Sequence, residues 1–218
     1  MGYKIEVKDL NLTINSHEIL KNINLNIESG KIYGFIGRNG SGKSMLLKCI
    51  CGLLKPNTGS VIVNNEDIYN KDLFPSSMRA FIDKPTFIGS LTGYENLKLL
   101  ADIQNTIDDE KIKETLIKCD LEDQTNKKYG KYSLGMKQKL AIASVLMENP
   151  DIMIFDEPFN GIDNKSVEMI RKILLEEKQQ GKTILIATHI KEDIDLLCDV
   201  IYELDLGQIV ANNKNIDI

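Results

Sequence analysis

The chain has 218 residues, of which 42% are hydrophobic and 27% are charged, and its net charge is −5. These values are ordinary for a folded globular protein and allow one large domain with a sizeable core. The negative charge argues against the basic stripe that a duplex-binding surface needs, so we expect no nucleic-acid partner.

Cysteine usage and the apolar runs bear on where the protein works. The four cysteines, Cys49, Cys51, Cys119 and Cys198, complete no zinc pattern and are predicted to be reduced, buried thiols. No apolar run approaches the roughly 18–20 residues that span a bilayer. The first ten residues lack the apolar segment of a secretory signal. We therefore expect a cytoplasmic protein whose membrane role, if it has one, depends on a partner.

The first third of the chain is predicted to form short strands separated by turns. Alternating apolar residues in INLNI are typical of a half-exposed antiparallel strand, whereas the apolar run in KIYGFIG indicates a buried strand. A helix is predicted from residue 43 to about residue 54, because Pro56 and turn residues follow it. The predicted strands are KIEVKDL, INLNI, KIYGFIG and SVIVN.

A loop between the buried strand and this helix carries a phosphate-binding pattern. Gly37-Arg38-Asn39-Gly40-Ser41-Gly42-Lys43-Ser44 matches G-x-x-x-x-G-K-[ST] in full. Glycines let successive N–H groups point inward as an anion nest, and the following helix adds its positive dipole end. Lys43 is expected to reach the β- and γ-phosphates of a nucleotide, and Ser44 to ligate Mg²⁺.

The spacing of apolar residues changes twice in the rest of the chain. From about residue 85 to residue 140 helical spacing replaces the strand pattern, which predicts a helical insert. The last third alternates again, which indicates a parallel sheet covered on both faces. The elements predicted there are strands 152–155 and 183–187, helices 164–178 and 191–197, and a hairpin around Gly207.

Two adjacent acids end the predicted strand 152–155. Ligands collect at the carboxyl ends of strands in a parallel sheet, which is where Asp156 and Glu157 are expected. Asp156 is predicted to hold Mg²⁺, directly or through water. Glu157 is predicted to polarise the attacking water as a general base. An acidic pair alone is also common in solvated turns, and the phosphate-binding loop is what favours the catalytic interpretation.

The segment Tyr132-Ser133-Leu134-Gly135-Met136-Lys137-Gln138 precedes a long predicted helix. It resembles the Leu-Ser-Gly-Gly-Gln signature of ATP-binding cassette (ABC) ATPases, in the variant of bacitracin-resistance-like and sodium-efflux-like exporters. The resemblance spans essentially the whole chain in the family's order. It implies that Ser133 and Gly135 cover the γ-phosphate held by a second subunit in a head-to-tail dimer. Helix capping alone would also explain a serine at this position.

Two further segments fit the resemblance. Asn160-Gly161-Ile162-Asp163 resembles the family's D-loop, which implies that Asp163 lies at the dimer seam beside ATP. His189, in Ala187-Thr188-His189, resembles the switch histidine that contacts the γ-phosphate and steadies the water. The catalytic residues implied are therefore Glu157 and His189.

Four positions depart from the family's pattern. Leu134 replaces the first signature glycine, and Met136 replaces the signature glutamine. Asp83 stands where the family usually carries the glutamine of its Q-loop, and an aspartate can still ligate Mg²⁺ or bind a water. Ile14 occupies the approximate position of the aromatic residue that stacks on adenine. Binding of adenine is therefore expected to depend on aliphatic contacts, and discrimination between nucleotides is expected to be weaker.

Together the motifs and the resemblance predict a single α/β domain with a P-loop NTPase core and a mixed sheet. Residues 1–84 and 141–218 are predicted to form the nucleotide-binding core with an N-terminal antiparallel β part, and residues 85–140 a helical subdomain. Asp83 is expected to act as the hinge of this subdomain. Coupling helices of a permease are expected to dock near residues 87–91.

The function implied is an ATPase that uses ATP and Mg²⁺ to drive a separate transmembrane permease, with export as the favoured direction. The subunit would pair with an identical or a similar copy and lie on the inner face of the cell membrane through its permease. The alternative is a non-transport ABC ATPase that acts on ribosomes or DNA. This sequence does not identify the transported substrate, because in this family the membrane subunit selects it.

Overall fold

The computed structural model describes residues 3–70, 75, 77–83, 86–124 and 126–214. The predicted subdomain boundary at residues 84 and 85 lies outside this part of the chain. The described α helices and strands, in chain order, are β1 (Lys4–Ile14), β2 (His17–Glu28), β3 (Ile32–Ile36), α1 (Lys43–Ile50), β4 (Thr58–Val63), β5 (Glu66–Asp67), β6 (Met78–Phe81), α2 (Gly93–Gln104), α3 (Asp109–Lys118), α4 (Leu134–Leu146), β7 (Ile152–Asp156), α5 (Asn164–Gln179), β8 (Thr183–Ala187), α6 (Lys191–Leu197), β9 (Val200–Asp205) and β10 (Gln208–Lys214).

The strands form two sheets. An antiparallel sheet has the order β2-β1-β4-β5, and a six-stranded sheet has the order β10-β9-β3-β8-β7-β6. In the larger sheet the neighbours from β9 to β6 run parallel, and β10 pairs antiparallel with β9. The predicted α/β class, with a mixed sheet and an N-terminal antiparallel part, is confirmed.

The mixed sheet is buried on both faces, which explains its continuous apolar runs. In β7, Ile152 and Ile154 pack with α1 and the antiparallel sheet, whereas Met153 and Phe155 pack with the helices of the other face. Asp156 continues this alternation and shares the face of Ile152 and Ile154, because side chains alternate along a strand. The strand therefore directs the Asp156 carboxylate toward the side of the sheet that carries α1.

The strands β1 and β2 are longer than predicted and meet in a tight hairpin. The turn residues Asn15 and Ser16 have φ values of 48° and 63°. Such left-handed values at both central residues are those of a two-residue type I′ turn. Because the turn is Asn-Ser and contains no glycine, the sequence pattern gave no clear signal for it.

Three other elements differ from the prediction. α1 ends at Ile50, before the predicted residue 54, and Gly52 takes a φ of 81° just beyond it. β6 was not predicted, and it adds a parallel edge strand beside β7. α4 runs from Leu134 to Leu146 without interruption. The predicted insert boundary at residue 140 therefore falls inside a helix.

Candidate functional site

The loop of residues 37–44 joins β3 to α1 and forms one wall of the site. At Gly37 φ is 150°, and a Cβ atom there would lie 2.2 Å from the carbonyl oxygen of Leu204. Gly42 has a φ of 106° and is the N-cap of α1, and no side chain of the described residues caps this helix end. The first amides of α1 are thus left for an anion, as a phosphate-binding loop requires.

Lys43 is held inside this loop. Its side chain is 6% exposed, and its ammonium donates to the carbonyl oxygens of Gly37 at 2.8 Å and Arg38 at 3.2 Å. Phosphate oxygens are charged acceptors and bind an ammonium more strongly than carbonyls do. Lys43 is therefore positioned to exchange these carbonyls for the phosphates of a nucleotide.

Two clefts flank the loop. A cleft of about 340 Å³ lies over it, and Glu157 and the half-buried Ile19 of β2 also line it. The loop residues in this cleft are Asn39, Gly40, Gly42, Lys43 and Ser44. Gly37 and Arg38 line a second cleft of about 820 Å³ together with His189. Ser41 is buried below the loop surface, 4% exposed. Ile19 was not among the predicted site residues, since an isoleucine in a strand carries no chemical signal.

Asp156 ends β7 beside Ser44. It is 7% exposed, and its Oδ1 atom has no hydrogen-bond partner among the described residues. Burial raises the pKa of the Asp156 carboxyl above its ordinary value, and a hydrogen bond from the Ser44 hydroxyl opposes that rise.

These two residues fit a magnesium ion. One carboxylate and one hydroxyl are hard oxygen donors of the kind that Mg²⁺ uses when nucleotide phosphates and waters complete its coordination. In the described part of the chain no group of three or more His, Cys, Asp or Glu side chains is arranged to hold a metal. An ion held by Asp156 and Ser44 would take its other ligands from nucleotide phosphates and water.

Asp83 lies near this position but has another partner. Its carboxylate pairs with the Lys48 ammonium at 2.6 Å, and its main chain hydrogen-bonds to the Asp156 carboxylate. Asp83 also lines a cleft of about 480 Å³ with Asp156 and Glu157. A metal role for Asp83 would require its carboxylate to leave Lys48, and that role stays a prediction.

Glu157 and His189 form a close pair at the ends of β7 and β8. Nδ1 of His189 lies 2.9 Å from both carboxylate oxygens of Glu157. An ionised carboxylate only accepts hydrogen bonds, so Nδ1 carries the proton and Nε2 is left to contact another group. Glu157 also lines both the 340 Å³ cleft and the 480 Å³ cleft. Both residues were predicted from the sequence, and the structure brings them together.

The backbone of Glu157 is strained. Its φ of 51° is in the left-handed region, which costs a non-glycine residue free energy unless the surroundings hold it. Its N–H donates to the carbonyl oxygen of Ala187 at 2.8 Å, which fixes it to the end of β8. A strained residue between two clefts is a feature typical of functional sites.

Ser133 begins α4 at the protein surface. Its hydroxyl accepts a hydrogen bond from the Met136 N–H at 3.2 Å, and its side chain is exposed. Gly135 is half-buried next to Ile162, and Leu134 is 58% exposed. Because the hydroxyl accepts from its own helix, its O–H remains available to donate to an outside acceptor.

Asp163 caps the next helix of this region. Its carboxylate accepts hydrogen bonds from the Ser166 N–H at 3.0 Å and the Ser166 hydroxyl at 2.7 Å, which lower the pKa of Asp163. The residue is thus an N-cap of α5 within its own subunit. Its predicted contact with ATP at a dimer seam stays a prediction.

Gln138 links α4 to the loop after β7, although its residue type and position predict no role in the site. Its Nε2 atom donates to the carbonyl oxygens of Glu157 and Pro158, each at 3.0 Å. The residue lies one turn into α4, on the 480 Å³ cleft. A polar residue near a helix start is so common that only the packing of α4 against the loop after β7 reveals this contact.

The arrangement suits hydrolysis of a bound triphosphate. The loop and Lys43 can bind phosphates, Asp156 and Ser44 can hold a divalent ion, and Glu157 can take a proton from water. None of the helices in the described residues is both long enough and apolar enough to cross a membrane.

Comparison with known protein families gives an independent result. A family model described as "ABC transporter" matches residues 20–160. An ABC transporter ATP-binding protein of Bacillus subtilis (YybJ) is 40% identical over 210 residues, which are 96% of each chain. The bacitracin transport ATP-binding protein BcrA of Enterococcus faecalis is 35% identical, over 96% of this chain and 69% of that protein. The lantibiotic transport ATP-binding protein SrtF of Streptococcus pyogenes is 32% identical, over 96% and 90%.

Solved structures agree with these relatives. A dimeric ATP-binding cassette in a post-hydrolysis state, bound to ADP and Pi, superposes with a TM-score of 0.88 at 27% identity. The match covers 98% of this chain and 100% of the cassette.

Proposed function

Since this chain belongs to the ABC transporter family and is an ATP-binding, ATP-hydrolysing subunit of that family, we propose that it works in a head-to-tail pair of such subunits. The pair closes around two ATP molecules with Mg²⁺ and drives a separate transmembrane permease. The mate is either a second copy of this chain or a similar subunit.

One observation carries the pairing: the exposed Ser133 end of α4. This helix start has a free hydroxyl proton and a positive dipole end, which together bind an anion. The subunit's own phosphate loop is built at a different helix start, that of α1. A second subunit is the natural source of an anion for α4, because each copy would then complete the site of the other.

The geometry supports the following roles for the residues of one site. The loop amides and Lys43 bind the phosphates, and Asp156 and Ser44 would hold a magnesium ion, which would supply positive charge against the phosphates. Ser133 and Gly135 of the mate cover the terminal phosphate. Asp163 would lie at the seam between the subunits, and the Asp83 carboxylate would have to leave Lys48 to reach the ion or one of its waters.

Glu157 is the general base in this proposal. Its carboxylate accepts a proton from the water that attacks the terminal phosphorus. His189 fixes that carboxylate through Nδ1, as its distances of 2.9 Å to both oxygens support. Nε2 of His189 then faces the terminal phosphate. Loss of that phosphate removes the contacts that closed the pair, so the pair opens.

The test is a variant that binds but does not hydrolyse. Glu157→Gln should form a stable dimer with ATP and Mg²⁺, measured by light scattering, and its turnover should fall by about 10²–10⁴-fold, the usual contribution of a general base. Adding Ser133→Arg should abolish that dimer and leave nucleotide binding to the monomer intact. Lys43→Ala should lose nucleotide binding or turnover.

Two results would overturn the proposal. Wild-type turnover in Glu157→Gln would remove the base assignment. An ATP-bound dimer that is as stable in the Glu157→Gln, Ser133→Arg variant as in Glu157→Gln would remove the pairing through α4.

We also propose that the permease docks on the segment of residues 87–91 in the helical subdomain. Ile88 is 51% exposed, although its N–H is fixed by a 2.7 Å hydrogen bond to the Asn96 side chain. Phe87 packs edge-on against Tyr129, with ring centroids 5.2 Å apart. An exposed apolar side chain on a fixed backbone suits a helix of a membrane partner.

Ile88→Glu should abolish transport and leave the ATPase rate of the free subunit unchanged. The matched control is Ile117→Glu, because Ile117 of α3 is exposed to a similar degree, 58%. Transport that survives Ile88→Glu and fails in Ile117→Glu would move the docking surface to α3.

The direction proposed is export, with the subunit on the inner face of the membrane through its permease. Relatives whose names state bacitracin and lantibiotic transport support a peptide-antibiotic exporter over an ATPase of ribosomes or DNA. The permease would choose the cargo. Reconstitution with candidate permeases, followed by a resistance assay against peptide antibiotics, would test this direction.

A further inference from the structure

The side-chain amide of Gln138 connects α4 to the main chain of the loop after β7, which contains Glu157 and Pro158. Its Nε2 atom lies 3.0 Å from the carbonyl oxygen of Glu157 and 3.0 Å from that of Pro158. An amide nitrogen has two N–H donors and carbonyl oxygens only accept, so both donors are used. Gln138 therefore holds the main chain of residues 157 and 158 through two hydrogen bonds.

Glu157, one of the two residues that Gln138 holds, is also the residue with the strained backbone. Glu157 holds a φ of 51°, and a left-handed conformation persists in a non-glycine residue only where the surroundings impose it. The Ala187 carbonyl fixes its N–H at 2.8 Å, and its carbonyl accepts from Gln138 at 3.0 Å and from the Asn160 N–H at 3.3 Å. These main-chain contacts hold the backbone from which the Glu157 carboxylate reaches His189.

A second contact ties the same helix to the same loop. A Cβ atom on Gly161 would lie 2.3 Å from Cδ2 of Leu134, so the Leu134 side chain lies directly on the Gly161 backbone. Gly135 packs beside Ile162 in the same way, with Cγ2 of Ile162 at 3.5 Å from the position of a Cβ. The first turn of α4 and the loop after β7 are thus packed as one unit.

We propose that Gln138 is a positioning residue that holds Glu157 in its catalytic conformation and makes that conformation depend on what α4 binds. This inference rests on the proposed pairing, in which the start of α4 covers the nucleotide of the mate. A shift of α4 on meeting that nucleotide moves the Gln138 amide, and with it the Glu157 main chain. Each subunit's base thereby responds to the nucleotide in the other site.

The test compares Gln138→Met, which keeps the length of the side chain but removes both donors, with Gln179→Met on the exposed end of α5. Gln138→Met should lower kcat by about 10²-fold, the cost of a small misplacement of a catalytic group. Its KM for ATP and its unfolding temperature should match those of Gln179→Met. The Hill coefficient for ATP should fall from above 1 in the wild-type pair to 1.

Gln138→Asn keeps the amide but shortens its reach, and it should show the same loss in kcat alone. It serves as the second variant if Gln138→Met folds poorly. A variant of either kind whose KM rises while kcat is unchanged, or a wild-type pair without cooperativity, would overturn the inference.

A double-mutant cycle separates this inference from the proposed function. If Gln138 acts through Glu157, adding Gln138→Met to Glu157→Gln should lower the residual turnover no further. If Gln138→Met lowers turnover in the Glu157→Gln background as much as it does in the wild type, the role of Gln138 is wrong. The proposed function would stand in that case, since Glu157→Gln would still be slow. Wild-type turnover in Glu157→Gln itself would instead sink the proposed function, and this inference with it.

Discussion

A single ring nitrogen of His189 lies 2.9 Å from both carboxylate oxygens of Glu157. The two residues come from the ends of neighbouring parallel strands, β7 and β8, whose register pairs Asp156 with Ala187. The sheet therefore sets their separation. A carboxylate held on both oxygens cannot rotate freely, so its basic lone pairs are presented in one direction.

His189→Ala should lower kcat by about 10²-fold, at the lower end of what a positioned acid–base group contributes. Affinity for ADP should change little, because the phosphate loop is not altered and ADP lacks the terminal phosphate that Nε2 is proposed to face. Steady-state ATPase assays and titration with a fluorescent ADP analogue measure the two quantities. His17→Ala is the matched control, since His17 is the other histidine of the chain and lies exposed on the β1–β2 hairpin. Equal kcat values for the two variants would contradict the pairing with Glu157.

Mg²⁺ should strengthen ATP binding less as the pH falls. This loss should begin at a pH above the ordinary aspartate pKa of about 3.9. The reason is that the metal needs an ionised Asp156, and burial raises the pKa of that carboxyl so that it takes up a proton more readily. Titrations with Mg²⁺ and with a chelator, compared across pH, isolate this effect of Mg²⁺. In Asp156→Asn the difference between the two titrations should be small and independent of pH. A Mg²⁺ effect of constant size down to the acid unfolding transition would argue against Asp156 as the ligand.

Ile14→Tyr should tighten binding of ATP by about tenfold, within the 1–3 kcal/mol that a base gains by stacking on an aromatic ring. Ile14 ends β1 at the hairpin tip and is 37% exposed, and Ile19 of the paired strand lines the phosphate cleft. Competition titrations with ATP and with inorganic triphosphate, which has no base, measure the gain. Thr13→Tyr, on the opposite face of the strand, is the control. A tyrosine at position 14 that improves triphosphate binding equally would show that the gain does not come from the base.

Arg171→Met should destabilise the fold by about 3–5 kcal/mol, because it leaves a buried carboxylate without its partner. Nε of Arg171 donates to Oδ1 of Asp193 at 3.0 Å, and the side chain of Asp193 is 2% exposed. Urea unfolding measures the loss, and Asp193→Asn in the same chain should recover most of it.

The loss from Arg171→Met should also depend on pH. Burial raises the pKa of Asp193 and Arg171 opposes this rise, so the variant's carboxyl has a still higher pKa. The penalty is therefore complete above that pKa and shrinks as the pH falls from it toward the ordinary aspartate pKa of about 3.9, below which it is gone. A loss of stability that is the same at acidic and neutral pH would contradict this account.

The phosphate loop could be predicted because its chemistry is local. The glycines that take positive φ, Gly37 and Gly42 among them, occur within eight consecutive residues that end in Lys43 and Ser44. Asp156 and Glu157 could be predicted for a similar reason, because an apolar run that ends in acids indicates a strand end.

Contacts between distant segments could not be predicted. Gln138 meets Glu157 only because α4 packs against the loop after β7, and Lys48 meets Asp83 only because α1 lies beside the end of β6. β6 itself was missed because Arg79 interrupts its apolar pattern. That arginine is paired with Glu148, just beyond α4, which no local pattern reveals.

The unbroken course of α4 has a mechanical consequence. Ser133 caps its start, Gln138 lies one turn further in, and its second half, from Leu140 to Leu146, is packed in the core beside β7. Bending near residue 140 would break consecutive helical hydrogen bonds, so a force on the exposed start of α4 tilts the whole helix about its buried end. The length of the helix converts a small tilt at the core into a larger displacement of Ser133 at the surface.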